Sequence, residues 1–364
     1  MGLKFDASSC VRVSSFVSNC QKCIDICPVQ TIKLNSNLPS FTPIECIECG
    51  GCVGVCPTSS FALTEFNVTD FLFGYFNEPQ VLSCKQNIPC LAVFNPEELI
   101  SLALGSDKEV VLDIGHCAAC EIKERLYPQI KANIEEANFI LSSFSSKQIK
   151  CEDIKLETPQ AKEEETSRRD FLYNLKPINA IKHKVEFDEI VNKDELKSFE
   201  IDDAAINKIK NKKIPDKRKL LFALLKQEEK PKRYETIDSN DISFCSQKYI
   251  DQNCTNCQIC YRICPTGALS SSRNFSEIHF DAMLCVKCHL CHDVCTPNAI
   301  HIQPSFEIKE FFEPTQRILA DFVIKRCDEC GNSFTYTGGE VVCPRCQTEE
   351  DEAIMLHQIA RNNL

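Results

Sequence analysis

Eight cysteines in the second half of the chain stand in two runs, Cys254, Cys257, Cys260 and Cys264, then Cys285, Cys288, Cys291 and Cys295. Both runs have the spacing C-x2-C-x2-C-x3-C, and Pro265 follows the first. Thiolates are soft ligands for iron or zinc, and the spacing discriminates between them. Three closely spaced cysteines on a tight loop reach three irons of one cubane, and the fourth, after a longer gap, completes the other. The expected sets are Cys254, Cys257, Cys260 and Cys295 around one 4Fe–4S cluster, and Cys285, Cys288, Cys291 and Cys264 around its partner. A pair of zinc sites would instead use C-x2-C pairs separated by a longer loop.

Over roughly residues 245–304 these motifs closely resemble the bacterial two-cluster ferredoxin family. The resemblance implies short strands covering paired clusters that lie close enough to exchange electrons. The N-terminal segment repeats the pattern. Cys46, Cys49, Cys52 and Cys56, with Pro57, form one complete run, and Cys20, Cys23 and Cys27, with Pro28, stand upstream. Phe41 precedes Cys46 by the interval at which Phe280 precedes Cys285, which supports the register. Apolar stretches at 31–34, 61–63, 268–269 and 299–302 match the covering strands of that family.

By the same logic Cys46, Cys49, Cys52 and Cys27 form one complete set. The other set has Cys20, Cys23 and Cys56, with Val17 where the fourth thiolate belongs. Valine has no lone pair to offer iron. Three readings stay open: Cys10 substitutes as the ligand, the site holds a 3Fe–4S cluster, or one iron takes a non-protein ligand and becomes a catalytic site. Cys10 is slightly favoured, although DASSC around it resembles DISFC around Cys245 in a module whose eight ligands are already present.

The elements that position other thiols follow at 80–122, where the pattern reads strand, loop, helix, strand, loop. Asn95 is suited to cap a helix begun by Pro96, with Glu97 and Glu98 in its first turn. Val110–Ile114 reads as a buried strand. Cys84 and Cys90 follow the first strand, Cys117 and Cys120 the second. In a parallel α/β arrangement these loops share the carboxyl edge of the sheet, where ligands bind. A third metal site (zinc or 2Fe–2S) or a reactive dithiol is expected there in preference to incidental thiols.

Near the end, Cys327-x2-Cys330 and Cys343-x2-Cys346 are twelve residues apart, with Gly331 and Pro344 at the knuckle turns and a strand expected at Val341 and Val342. The segment resembles zinc ribbons and the rubredoxin-like tail of rubrerythrins. Either resemblance implies four thiolates around one ion, zinc in preference to iron. Between insert and second module, residues 152–235 carry charge blocks: Glu163–Glu165, and a lysine-rich run from Lys208 to Arg233 expected to be mainly a solvated helix face. Leu220, Leu221, Phe222, Leu224 and Leu225 suit a short docking helix. The Ser167-Arg168-Arg169-Asp170-Phe171-Leu172 stretch matches the twin-arginine signature, but it is internal and reads as a helix start. It resembles, weakly, the arginine pairs of ferredoxin-type accessory proteins of nitrate and formate respiration.

His289 and His292 sit among filled ligand positions, so they act at most on the sulfurs' surroundings. No G-x-G-x-x-G or phosphate loop appears, so no nucleotide, flavin or nicotinamide is expected. The net charge of −11 disfavours nucleic acid and anionic membranes as partners. Twenty-six cysteines, grouped as metal ligands, and a start lacking a signal peptide point to a cytoplasmic protein with no membrane span.

The expected fold class is α+β: two dicluster ferredoxin-like modules (1–70 and 241–310), an α/β insert (71–150), a charged helical connector (151–240) and a small C-terminal ribbon (311–364). The expected function is that of a polyferredoxin carrying single electrons between redox protein partners. An accessory or assembly protein for a respiratory metalloenzyme, or an enzyme using the incompletely ligated cluster, are the alternatives.

Overall fold

The structure, a computed structural model, describes residues 2–157 and 212–362. The acidic block at 163–165, the arginine pair and the first lysines of the basic run lie outside the described residues.

The first and last strands of each cysteine-rich unit pair across its ends. Leu3–Phe5 runs antiparallel to Phe61–Leu63, and Lys248–Ile250 antiparallel to Ile300–Ile302. A hairpin stands between the two cysteine runs of each unit. Ile32–Asn35 pairs with Leu38–Phe41 through a turn whose central residues, Ser36 and Asn37, have φ of 47° and 66°. That left-handed pair matches the twist of a two-residue hairpin. In the second unit Leu269–Ser271 pairs with Glu277–Asp281, which also pairs with Gln316–Asp321 beyond the unit. Each of the complete or partial runs ends in a short helix: Lys22–Ile26, Gly51–Val55, Ile259–Ile263 and Leu290–Asp293. Helices this short are not stable in isolation, so these depend on packing and on what the thiols hold.

The insert carries the principal apolar core. Helix Pro96–Gly105 is closed by a capping box in which the Asn95 side chain accepts from the Glu98 backbone and Glu98 accepts from the Asn95 backbone. It packs against helix Lys123–Ser142, which in turn contacts a parallel pair, Val110–Asp113 with Ile149–Glu152. The expected first strand is reduced to a single parallel bridge, Leu82 to Leu112. Leu82, Val93, Phe94, Leu102, Leu112, Ile140 and Leu141 are fully enclosed.

The basic run differs from a solvated face. Asp216–Leu225 is a helix lying against Pro96–Gly105, and it buries Lys217 and Arg218 along with Leu220, Leu221, Leu224 and Leu225. Eight of its ten residues, from Lys217 to Leu225 except Lys219, are buried, so the helix is enclosed on nearly all sides. Its two buried cations are accepted because each ends in hydrogen-bond acceptors. At the C-terminus the strand expected at Val341 and Val342 is absent. The strands are Ile324–Arg326 and Ser333–Thr335, and Val341 instead accepts a hydrogen bond from the Asp328 N–H before the long helix Pro344–Asn362 begins. Among the described residues no helix is long and apolar enough to cross a membrane.

Candidate metal centres

Two cavities in the second unit sort its eight cysteines into sets of four. One is lined by Cys254, Cys257, Cys260 and Cys295, with Ile250, Ile278, Val294 and Ile300 around them. The other is lined by Cys264, Cys285, Cys288 and Cys291, with Leu269, Phe280 and Val286. Each set draws three cysteines from one run and the fourth from the other. Asn256 and Gln258 flank Cys257 with φ of 52° and 72°, and Lys287 and His289 flank Cys288 with 46° and 63°. Glu48 and Gly50 flank Cys49 in the same way. Left-handed residues alternating with ordinary ones turn successive N–H groups inward, a concavity suited to anionic sulfur. Strain of this kind persists where a ligand clamp needs it. The Cys20 loop lacks the arrangement, since neither Asn19 nor Gln21 has positive φ.

The last cysteine of each run is held by donors. The Ser60 N–H donates to Cys56 Sγ at 3.2 Å and the Ala299 N–H to Cys295 Sγ at 3.3 Å. Thr31, Thr58 and Thr266 hydroxyls lie 3.7–3.8 Å from the sulfurs of Cys27, Cys56 and Cys264. Donors of this kind favour thiolate over thiol and tune a bound cluster. They bring Cys27 below the usual thiol range despite its burial.

Cys23, Cys52, Cys260 and Cys291 are pushed upward, first by burial and then by the charges of neighbouring cysteines. Cys23 rises to about 12 through burial and the charges of Cys56, Cys20 and Cys10. Cys52 rises through burial and the charges of Cys49, Cys23, Cys46 and Cys27. Cys260 and Cys291 each reach about 12 for the same reasons. These groups of mutually repelling buried sulfurs fit a polycationic iron–sulfur core, whose charge removes the repulsion. Val17 takes no part, being 56% exposed, whereas Cys10 is buried and within electrostatic reach of Cys20 and Cys56. Cys245, its sequence counterpart, lies fully buried beside Arg218 and Cys285. His292 is neutral: burial and Lys248, whose Nζ lies 2.8 Å from Nε2, lower it to about 3.

In the tail, the sulfurs of Cys327, Cys330, Cys343 and Cys346 all lie within 4.8 Å of one another, with Cys330 and Cys343 at 3.7 Å. Four sulfurs about 2.3 Å from one tetrahedral ion stand about 3.8 Å apart, so this is single-ion geometry. Gly331, with φ of 70°, turns the first knuckle, and the Cys343 N–H donates to Cys327 Sγ at 3.2 Å. Backbone N–H groups of Cys330, Cys343 and Glu329 bring Cys327 down to about 6. In the insert, Cys84, Cys90 and Cys117 are half-buried and Cys120 is exposed; Cys84, Cys117 and Cys120 follow the carboxyl ends of the parallel segments at Leu82 and Val110–Asp113.

The cysteine loops abut one another. The Asn19 N–H, beside Cys20, donates to Asp293 Oδ2 at 3.0 Å, joining the first unit to the second. Asn256, between Cys254 and Cys257, donates to Thr335 Oγ1 of the tail at 3.1 Å. Lys217 donates to the Cys56 carbonyl at 2.7 Å, and Arg218 donates to the Cys285 carbonyl at 2.9 Å. Arg12, also buried, bonds the Cys20 carbonyl and Asn37. None of these cations was legible as functional. The only signal was the helical spacing of Lys217 and Arg218 with the leucines.

Comparison with protein families agrees with this geometry. A family described as a 4Fe-4S dicluster domain matches residues 3–57, and a 4Fe-4S binding domain matches residues 248–270. No curated protein is significantly similar to the chain. The chain therefore carries 4Fe–4S ferredoxin-type domains in both halves and a four-cysteine cluster near its C-terminus. Such domains are suited to iron–sulfur electron transfer among redox partners.

Proposed function

We propose that this chain is a polyferredoxin: four 4Fe–4S centres carry single electrons between oxidoreductase partners, and one tetrahedral ion holds the C-terminal tail together. The observation that carries the reading is the pair of cavities in the second unit, each lined by three cysteines of one run and the fourth of the other. The ligand sets are Cys254, Cys257, Cys260 and Cys295; Cys264, Cys285, Cys288 and Cys291; Cys27, Cys46, Cys49 and Cys52; and Cys20, Cys23, Cys56 with Cys10. When bound, such a cluster supplies a one-electron couple within about −700 to +450 mV.

The chain's own residues do the rest. Thiolates fix each centre, while Leu269, Phe280, Ile278 and Ile300 exclude water from the second unit's cavities. Backbone N–H and threonine donors offset sulfur charge. The buried position of Cys10 beside Cys20 and Cys56 supports a fourth thiolate over an open iron. The tail is proposed to hold zinc and to act as a structural element against the Cys254 loop, as the Asn256–Thr335 bond suggests.

The test is iron, sulfide and zinc content of anaerobically purified protein, with EPR before and after reduction. Iron at about 16 or more per chain, one zinc, and interacting 4Fe–4S signals on reduction are expected. Iron at about four or below after anaerobic reconstitution overturns the reading.

A further inference from the structure

The insert holds four cysteines that neither family match covers. Their placement depends on one carboxylate. Asp113, buried at the end of strand Val110–Asp113, accepts from the Ser83 hydroxyl at 3.1 Å, the Gly115 N–H at 3.0 Å, the Lys155 N–H at 3.0 Å and the Leu156 N–H at 2.9 Å. His116 Nε2 lies 2.9 Å from the Leu156 carbonyl. Three loops leaving three parallel segments are thereby tied at one edge. Cys84 follows Ser83 directly, and the short turn Cys117–Ala119, with Cys120 closing it, follows Gly115. The carboxylate's lone pairs are already used, so Asp113 is not itself a ligand, and the thiols are the soft ligands these loops offer.

Cys90 reaches the same place from the side of the first ferredoxin unit. It opens the turn Leu91–Val93, whose backbone packs on helix Gly51–Val55. A Cβ at Gly54 would meet the Ala92 carbonyl oxygen at 2.3 Å, and one at Gly50 would meet Val93 Cγ2 at 2.8 Å. Glycine in the Cys46–Cys56 run thus permits the insert to lie directly on that loop. Burial and the neighbouring charges of Cys49, Cys117 and Cys84 act on Cys90. Those of Cys84 and Cys120 act on Cys117. The four thiols therefore form one group, with Cys49 and Cys151 at its border.

The spacing separates two chemistries. Four thiolates on a single zinc would converge as the tail sulfurs do. No three of Cys84, Cys90, Cys117 and Cys120 come within 4.8 Å of one another, and neither do the sets in the ferredoxin units. Thiols of one group that do not converge on a single ion leave room for a polynuclear core. We propose that Cys84, Cys90, Cys117 and Cys120 hold a further iron–sulfur cluster at the carboxyl edge of the insert, directly against the Cys46–Cys56 loop. The proposal shares with the polyferredoxin reading only the premise that the chain is loaded with iron and sulfide.

The test compares metal and sulfide content of the full chain, reconstituted anaerobically, in Cys84→Ala, Cys117→Ala and Cys120→Ala, with Cys151→Ala as control. Cys120 is exposed, so its replacement leaves the core intact, and Cys151 is an exposed thiol of the same domain. Each of the first three is expected to lose about two irons (2Fe–2S) or about four (4Fe–4S), with matching sulfide, while zinc and the control are unchanged. Persisting EPR signals of the other clusters would report that the fold is kept. Unchanged iron in all three variants, or loss of zinc in place of iron, overturns the proposal. Low iron in the unsubstituted protein would instead overturn the polyferredoxin reading.

Discussion

The guanidinium of Arg218 is paired with the carboxylate of Glu97 inside the protein, with side-chain exposures of 0% and 1%. The same guanidinium donates to the carbonyls of Met283, Cys285 and Phe244. One side chain thus joins the connector helix, the insert and the Cys285 loop. Removing one partner leaves a buried charge uncompensated. Arg218→Met is expected to destabilise the protein by about 3–5 kcal/mol in anaerobic urea titration, and Glu97→Leu in the same background to recover part of the loss. Loss of a cation beside Cys285 should also shift the reduction potential of that unit to more negative values, read by redox titration. An unchanged urea midpoint would contradict the pairing's role.

Cys10→Ser and Cys245→Ser separate ligand from packing. Both cysteines are buried, but only Cys10 has Cys20 and Cys56 as electrostatic neighbours. Cys10→Ser should lose about one iron per chain and give an oxidised 3Fe–4S EPR signal. Cys245→Ser should retain all iron. Equal iron in both variants would exclude Cys10 as a ligand.

Gly54→Ala tests whether the insert must touch the Cys46–Cys56 loop. The added methyl meets backbone, which does not yield as a flexible side chain would. A destabilisation of about 1–3 kcal/mol is expected, as for other overpacked sites. Gly74→Ala, where nothing lies within 4 Å of the new methyl, is the control and should be neutral or slightly stabilising.

Glu98 gives stability a pH dependence. Burial raises it to about 7, against the opposing effects of Lys217 and the Asn95 N–H. A carboxyl whose folded-state pKa exceeds its unfolded value favours folding most below the unfolded value, near 4.5, and loses that contribution as pH rises through about 7. Stability should therefore fall between about pH 4.5 and about pH 7, by up to about 3 kcal/mol from this group, and level off above that. Glu98→Gln keeps the capping box and should flatten the profile over that window. A slope equal to that of the unsubstituted protein would refute the assignment.

The tail should depend on its ion. Cys330→Ser is expected to remove one zinc per chain while iron stays constant, and to expose Ile324–Thr335 to limited proteolysis. Bound structural zinc contributes about 10–16 kcal/mol in comparable small sites, so apo protein should have an unfolded tail. A loss of iron with a red-to-colourless change in the tail's absorption would identify iron in its place.

Much of the site was legible because ligand chemistry is local. C-x2-C-x2-C-x3-C places three sulfurs on one loop whatever surrounds it, so cysteine spacing alone proposed the sets that the second unit's cavities bring together. Asn95, Pro96 and Glu98 announced their helix because a cap is settled within four residues. Phe41 and Phe280, which keep one interval to the cysteine run that follows, both lie in the hairpin between the two runs of their unit. Contacts between segments distant in sequence had no such signature. Lys217 and Arg218 read as solvated charge, since their acceptors, Cys56, Glu97 and Cys285, stand 161, 121 and 67 residues away. Nothing in the sequence around glycines 50 and 54 signals the turn at Leu91–Val93 that lies against them. Spacing along the chain determined which sulfurs share a loop. Only packing between loops decided which sulfurs share a centre and which centres touch, because burial, shape and the pairing of a buried charge are properties of the assembled interior.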